Sequence, residues 1–393
     1  MSKLHLTEQV ALIRKAEKQS RALSEVLAAA GWTYDDLIYR KSSFRGDRKG
    51  TKPLLLNEFS AAKGGPQFVS FFSGCGGMDL GLEAIGWKHR AAFEISELFC
   101  KTLCKNRPHW QIYGPPMHSG DVSDFDSIEQ ILSTQIKTPF EGVFVGGPPC
   151  QPFSIASNQR FAKWGNNFKR TGFSHQKNGN LLFDFVRLIT AFSPRAFIIE
   201  NVPGLHDIDN GRQLSKAIED LTLAGYSVHP PFVVNAAEFG VAQERYRLFV
   251  IGSRSSKSFA PPQPLQNRAE CSTALHISKK LQNHETREHK AESIKRYMEL
   301  EYGARDQLGR VDRLDPTLPA KTVIAGGTNG GGRSHLHPEI PRTLSVRECA
   351  RLQSFPDDFV FVGPTARQFT HVGNAVPPVL AAQIGIAVAQ SFF

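Results

Sequence analysis

The sequence predicts an α/β protein with a largely parallel sheet covered on both faces, a smaller irregular domain and a helical N-terminal extension. Three observations carry this. From Gln67 to Gly252 short apolar runs alternate with amphipathic stretches, the pattern of strands and helices stacked in layers. The runs are apolar throughout rather than at every second position, as in "AFII" at 196–199, which suits strands buried on both sides. After Gly252 that rhythm stops, and residues 253–341 are polar and rich in Lys, Arg, His and Gly.

Taken in order, residues 1–63 form a preface. "TEQVALIRKAEKQSRALSEVLAAAG" has helical periodicity, "GWTYDDLIYRK" starts a second helix after Gly31, and "RKSSFRGDRKGTKP" has the basic, Gly- and Pro-bearing character of a linker. Two helices about a glycine turn make either a plain hairpin or a helix-turn-helix. Strands are expected at 68–72, 89–95, 142–147, 196–202 and 247–252, with helices over "MDLGLEAIGW", "SELFCKTLCKN" and "NLLFDFVRLITAF". One further helix is expected around "HKAESIKRYMELEY" in the irregular part. The closing "PVLAAQIGIAVAQSFF" is too apolar to stand alone and is expected to return to the sheet domain. The expected domains are therefore 64–260 completed by 365–393, a small domain at 261–364, and the extension.

Hydrophobic residues at 40% and charged residues at 21% of 393 are ordinary for a globular protein. No apolar run is expected to span a bilayer, and the charged start lacks the apolar stretch of a signal peptide, so a cytoplasmic location is expected. Six cysteines at irregular spacing resemble no disulfide framework. Cys100 and Cys104 can share a helical face, and His335 and His337 stand close in sequence, but neither pair has partners at metal-ligand spacing; no metal is expected. Lys and Arg exceed Asp and Glu by 47 to 37, a formal charge of +10. That surplus favours polyanionic partners, nucleic acid first.

The chemistry sits at the ends of the expected strands. Glycines 74, 76 and 77 follow the first strand, where a ligand can approach the backbone closely. Glu94 ends the second strand, placed to accept from ribose hydroxyls, and Asp121 lies in "GDVSD", where it can receive an adenine amino group. Together they suggest a nucleoside cofactor without a phosphate cradle, since no Gly-Lys-Ser/Thr is present. After the strand at 143, "GGPPCQPFS" holds Cys150 on a turn stiffened by prolines, which cannot continue a central strand. Glu200 and Asn201 end the next expected strand. A thiolate beside a carboxylic acid suits attack on an electron-poor ring while a proton is supplied to it. Arg245 and Arg247, spaced by two, project from one strand face and can clamp a pyrimidine carbonyl, a phosphate or the acid itself.

"FFSGCGGMDLGLEAIG", "GGPPCQPFS", "ENVPG", "QERYRLFVIG", "RTLSVRECARLQSFPDDF" and "HVGNAVPP" follow one another in the order seen in DNA cytosine-5 methyltransferases. The chain resembles this family, in its bacterial restriction-modification form, over roughly 67–260 and 310–393. The resemblance implies a Rossmann-like sheet using S-adenosylmethionine, with a small target-recognition domain. Phe72 would stack on adenine, Glu94 bind ribose and Asp121 the adenine amine, with Gly74, Gly76, Ile95, Val122 and Pro149 beside them and Asn374 and Ala375 closing the site. Cys150 would add to C6 of a flipped-out cytosine and Glu200 would serve N3. Arg245 would hold O2, and Arg247 would support Glu200 and the cysteine loop.

Gln151, Ser154 and Gln243 would line the DNA side, Thr322 touch the target nucleotide's backbone, and Arg310, Arg313 and Arg333 contact bases or phosphates. The implied partner is double-stranded DNA, with a restriction endonuclease as functional partner and a monomer sufficient. Two places depart from the family. The loop after the cysteine is long and basic, with Arg160, Lys163, Lys169 and Arg170, and Asn178 stands where the family has an arginine. A related branch acts on tRNA but carries a Cys-Phe-Thr signature that is absent here. A non-catalytic DNA-binding regulator would have no use for the cysteine, the acid and the arginine pair.

Overall fold

Strand register decides what this protein can assemble at one edge. The computed structural model describes residues 4–41, 50–149, 181–278, 280–308, 311–325 and 335–393, with the side chains of 208 and 209 excepted. Compactness divides the chain into two units, whereas composition divides it into three. One unit comprises Leu55–Phe239, Arg245–Pro264 and Ala375–Phe393; the other comprises Met1–Leu54, Gly240–Glu244 and Leu265–Asn374.

The sheet unit runs β1 (Gln67–Phe71), α1 (Gly77–Ala84), β2 (Lys88–Phe93), α2 (Glu97–Asn106), β3 (Ile112–Tyr113), α3 (Phe125–Gln135), β4 (Val143–Gly146), α4 (Leu181–Phe192), β5 (Ala196–Asn201), α5 (Arg212–Leu223), β6 (Ser227–Val228), β7 (Phe232–Asn235), β8 (Tyr246–Ser253) and α6 (Pro378–Phe392). The strands lie in the order β3-β2-β1-β4-β5-β8-β6, with β7 also on β8. The first five pair in parallel, as the alternation of runs and helices predicts. β8 is antiparallel to β5, β6 and β7, and the short β3, β6 and β7 were not expected. β7 is only four residues following two prolines, too short for its apolar content to stand out.

Register then lines up the strand ends. Phe71 pairs with Phe93 and with Gly146, and Gly146 pairs with Ile199. The next residue of each strand therefore falls in one row across the carboxyl edge: Phe72, Glu94, Gly147 and Glu200. The strand order reverses beside β1, between β2 and β4, and such switch points are where open α/β sheets bind ligands. A buried cluster beneath holds the row in place: Val69, Phe71, Phe93, Phe144, Phe197 and Ile199 from the strands meet Ile128, Leu132, Phe185, Ile189, Leu214 and Leu221 from α3, α4 and α5.

The C-terminal helix does return to this unit. α6 lies against α1 so closely that a Cβ on Gly81 would stand 2.2 Å from the Pro378 carbonyl oxygen and 2.8 Å from Ala381 Cβ. The stretch Thr365–Phe392 is long and apolar enough to cross a membrane by length and composition, which corrects the expectation that no such run exists. Its most apolar window is 78% buried inside the protein, as a core helix is.

In the second unit the two N-terminal helices, Leu6–Gln19 and Leu23–Ala29, pack with the helix Ala291–Met298. Ile13, Val26, Leu27 and Leu37 share a buried cluster with Ile294, Tyr297, Met298 and Leu336, so the preface is part of this unit's core. The break between the helices falls at Ser20, not at Gly31. Ser20 takes a left-handed φ of 50° and its N–H caps the first helix on Ala16 and Glu17. Past Gly31 only a 3-10 turn forms at Tyr34–Asp36, and the expected second helix is absent from the described residues there.

Gly81→Ala tests the α1–α6 contact. The added methyl meets backbone that cannot rotate away, and overpacking of this kind costs about 2 kcal/mol. Urea unfolding is expected to show a lower midpoint for the variant; an unchanged midpoint refutes the close approach.

Candidate functional site

Glu200 ends β5 almost out of water, and Arg247 of β8 holds it at 2.7 Å, each side chain 11% exposed. Burial pushes the Glu200 carboxyl up; the charges of Arg247 and then Arg245 pull against it, and the net direction is upward. Arg245, 1% exposed, is itself drawn well below the ordinary arginine range by burial and by Arg247. Its backbone is fixed by Asn235, whose Oδ1 accepts the Arg245 N–H at 3.1 Å. Of the three targets the sequence leaves open for the arginine pair, the acid takes Arg247.

The same strand end grips the proline turn. A Cβ on Gly147 would stand 2.7 Å from Glu200 Oε2, so only a glycine lets the carboxylate lie against this backbone. Asn201, pointing the other way, donates through Nδ2 to the Pro148 carbonyl at 3.0 Å while its Oδ1 accepts the Val202 N–H at 2.8 Å. Asn201 is 5% exposed. The sequence shows an asparagine beside the acid and no more; which backbone it ties down depends on the pairing of β4 with β5. Pro149 is exposed. Cys150, Gln151 and Ser154, the basic loop with Arg160, Lys163, Lys169 and Arg170, and Asn178 lie outside the described residues.

Across the row, the turn after β1 is built from left-handed backbone. Phe72 has φ 56°, Gly74 φ 56° and Gly76 φ 82°. A bulky residue rarely adopts that region, and it is held where the surroundings over-determine it. Here the Phe72 ring meets Phe185 edge-on, centroids 6.1 Å apart. Glu94 ties the turn to β2: its Oε2 accepts the Gly74 N–H and its Oε1 the Ser96 N–H, both at 2.7 Å. Burial raises its carboxyl to about 7, against those two backbone donors. Below the turn Ser73 donates to Ser70, and Ser70 to Asp79, at 2.9 and 3.1 Å. Asp79 also meets His89 at 3.2 Å, and none of these four was anticipated.

The remaining expected contacts sort by exposure. Ile95 is 62% exposed, an apolar side chain beside Glu94 with open space before it. Asp121 Oδ1 accepts from the Ser123 N–H and hydroxyl at 3.0 and 2.7 Å, leaving Oδ2 for another donor, and Val122 is buried. Ala375, 8% exposed, packs at the start of α1, where a Cβ on Gly77 would come within 3.2 Å of it. Asn374 is exposed and precedes it in the chain.

In the second unit the geometry reassigns two residues. Gln243 is wholly buried, its Oε1 accepting the Val323 N–H at 2.7 Å and its Nε2 donating to the Leu352 carbonyl at 3.4 Å. It braces the strand-like bridge to Ala320 and offers no surface to a nucleotide. Arg313, 1% exposed, is spent on the carbonyls of Pro338, Lys41 and Leu300. Thr322 is partly exposed and donates its hydroxyl to the Glu244 carbonyl at 2.7 Å. Arg310 and Arg333 lie outside the described residues.

Comparison with known proteins agrees with these motifs. Residues 66–390 match the family described as C-5 cytosine-specific DNA methylase. The Type II methyltransferase M.NgoFVII of Neisseria gonorrhoeae is 33% identical over 349 residues, covering 82% of this chain and 86% of that protein. M1.HphI of Haemophilus parahaemolyticus is 32% identical over 341 residues with the same coverage. Among solved structures, an Escherichia coli prophage protein assigned as a DNA modification methyltransferase superposes with a TM-score of 0.68 at 23% identity, covering 83% of this chain and 99% of its own. The Dnmt2 methyltransferase of S. pombe gives 0.57 at 14% identity over 84% of this chain; both likenesses are of fold. A match over residues 66–390, most of the chain, makes this protein a member of the C-5 cytosine-specific DNA methylase family.

Proposed function

We propose that the protein methylates C5 of a cytosine swung out of a specific duplex DNA sequence, through a transient bond between Cys150 and C6, with S-adenosylmethionine as donor. The observation that carries this reading is the buried Glu200–Arg247 pair, set against the backbone of Gly147 two prolines ahead of Cys150. A target ring cannot be reached while stacked in a duplex, so it must leave the helix first.

The residues divide the work as follows. The Cys150 thiolate forms a bond to C6, and the electron pair of the C5–C6 double bond moves into the ring toward N3. Glu200, whose carboxyl burial holds above its ordinary range, supplies a proton to N3. Arg245 holds the O2 carbonyl. Arg247 keeps Glu200 in place, and Asn201 fixes the Pro148 carbonyl and with it the approach of the thiol. The ring, now rich in electrons at C5, would take the methyl group as its bond to the donor's sulfonium sulfur breaks; the N3 proton returns to Glu200, a water molecule removes the C5 proton, and the C6–sulfur bond breaks to release Cys150 as thiolate. Thr322 contacts the target nucleotide's backbone, and the segment 261–364 reads the sequence around it.

A nucleoside donor fits the other end of the row. Gly74 has nothing within 4 Å of where a Cβ would stand, Ile95 presents bare apolar surface, and Glu94 points a carboxylate at the same turn. Phe72 would face the adenine, Glu94 the ribose and Asp121 the adenine amine, beside Gly76, Val122, Pro149, Asn374 and Ala375. When bound, the donor supplies a sulfonium-activated methyl group. The relatives are named as Type II methyltransferases, and protection of cellular DNA from a restriction endonuclease is the role we assign. A cytoplasmic location and a monomer go with it.

Two measurements test this. With DNA carrying 5-fluorocytosine at the target position and donor present, the native protein is expected to become covalently trapped, and Cys150→Ala neither trapped nor active while still binding duplex. Glu200→Gln is expected to lower kcat about 10²-fold or more with duplex binding retained. Trapping by Cys150→Ala, or turnover by it, overturns the assignment.

The donor's affinity also has a pH signature. Ribose hydroxyls donate to an ionised carboxylate, so binding favours the deprotonated form of Glu94, whose carboxyl lies near 7. Affinity measured calorimetrically is expected to strengthen as pH rises through about 7, with proton release on binding. Glu94→Gln should bind about tenfold more weakly, the loss of one charge-assisted hydrogen bond, with a flat profile. A profile the substitution leaves unchanged places the ribose elsewhere.

A further inference from the structure

The family match begins at residue 66, yet the chain ahead of it is bonded by directional polar contacts to the segment that flanks Thr322. Arg342, 1% exposed, is the pivot. Its Nε donates to Asp35 at 2.7 Å, and Nη1 and Nη2 donate to the two oxygens of Glu348 at 2.8 and 2.7 Å. Glu348 in turn accepts the Ser345 N–H and closes a capping box that starts the helix Val346–Leu352. Burial pushes the Glu348 carboxyl up, and Arg342 more than offsets it, holding it at about 2.

A second tie lies four residues on. Tyr39 donates its hydroxyl to the His337 carbonyl at 2.8 Å. Its ring lies over the Arg313 guanidinium at 3.5 Å, with Tyr302 at 4.0 Å from the same guanidinium. Arg313 donates to the Pro338 carbonyl at 2.9 Å and to Lys41 at 3.0 Å. His335, two residues before His337, contacts the Thr322 carbonyl at 3.2 Å. The segment His335–Pro338 is thus held from the N-terminal side and stands one hydrogen bond from Thr322.

Attachment alone does not require this. The apolar faces of the two N-terminal helices already anchor them on Ile294, Tyr297 and Met298. A buried ion pair adds little net stability once desolvation is counted, whereas its geometry fixes one arrangement among many. Polar contacts of Ser24, Tyr34 and Lys41 end on Glu288, His289 and Glu301, whereas those of Asp35 and Tyr39 end on Arg342 and on the His337 carbonyl, which is where fixing an arrangement would bear on Thr322.

We propose that residues Leu4–Lys41 are a fixed strap of the second unit, and that Asp35 and Tyr39 are positioning residues which set its affinity for duplex DNA. This rests on the reading that Thr322 meets the target strand. The test uses the full chain with Asp35→Asn, Tyr39→Phe and the conservative Asp35→Glu. Steady-state kinetics are expected to show KM for duplex raised about tenfold by the first two, kcat and KM for donor unchanged, and partial recovery in Asp35→Glu.

Duplex affinity measured by fluorescence anisotropy in a Cys150→Ala background should shift by the same factor. Because that background needs no chemistry, failure of the covalent scheme leaves this measurement standing. A lowered melting temperature with unchanged duplex affinity overturns the proposal, as does a fall in kcat with KM for duplex fixed. Tyr39→Phe removes one hydroxyl and keeps the ring on Arg313, so it decides the matter even where Asp35→Asn folds poorly.

Discussion

The ion pair between Glu200 and Arg247 is the constraint on which the rest of the edge depends. An acid buried alone would be neutral and inert in position; an acid matched by strong cations would be ionised for good. Here burial raises the carboxyl and two guanidiniums oppose it, with burial ahead. That balance raises the carboxyl while an arginine stays bound to it, which is what the proposed proton transfer to a ring nitrogen calls for. It also explains the neighbouring glycine. With Glu200 Oε2 where a Cβ of residue 147 would reach, the turn carrying the prolines sits against the acid with nothing between them.

The antiparallel direction of β8 is what makes the pair possible. Residues at the start of a parallel strand lie at the amino edge of the sheet, away from Glu200. β8 runs opposite to β5, with Glu200 paired to Phe249 and Asn201 to Leu248, so its first residues arrive at the carboxyl edge. Arg245 and Arg247 can serve the site only through this reversal. The alternation of runs and helices in the sequence points to parallel neighbours and is silent about it, because strand direction is set by pairing and not by local pattern.

Other features divide along the same line. The five longer strands, the helices α1, α2 and α4 and the acids at the strand ends were legible because apolar runs and turn residues are local signals; α3 and α5 were not expected. The left-handed Phe72, the grip of Asn201 on Pro148 and the burial of Gln243 were not, since each depends on residues distant in sequence. Gln243 is instructive. A polar residue beside a basic pair reads as a nucleotide contact, yet both ends of its amide are taken by backbone, the Val323 N–H and the Leu352 carbonyl. Ser20 shows the converse at short range: a serine in left-handed backbone ends the first helix, the glycine at 31 ends the second with φ 81°, and the turn at Ser20 lets Leu23 and Val26 join the same core as Ile13.

The net charge of +10 needs the same scrutiny. Arg245, Arg313, Arg342 and Arg347 are each 1% exposed or less, too buried to draw a duplex in from a distance. Arg342 is balanced by Asp35 and Glu348, while Arg313 and Arg347 are spread over backbone carbonyls. Their charges act over short range inside the fold, where they fix backbone and orient acids. Any long-range attraction for a duplex has to come from the exposed lysines and arginines instead, and it is those that salt would screen. Basic residues in this chain thus serve two separate ends, and only burial distinguishes which residue serves which.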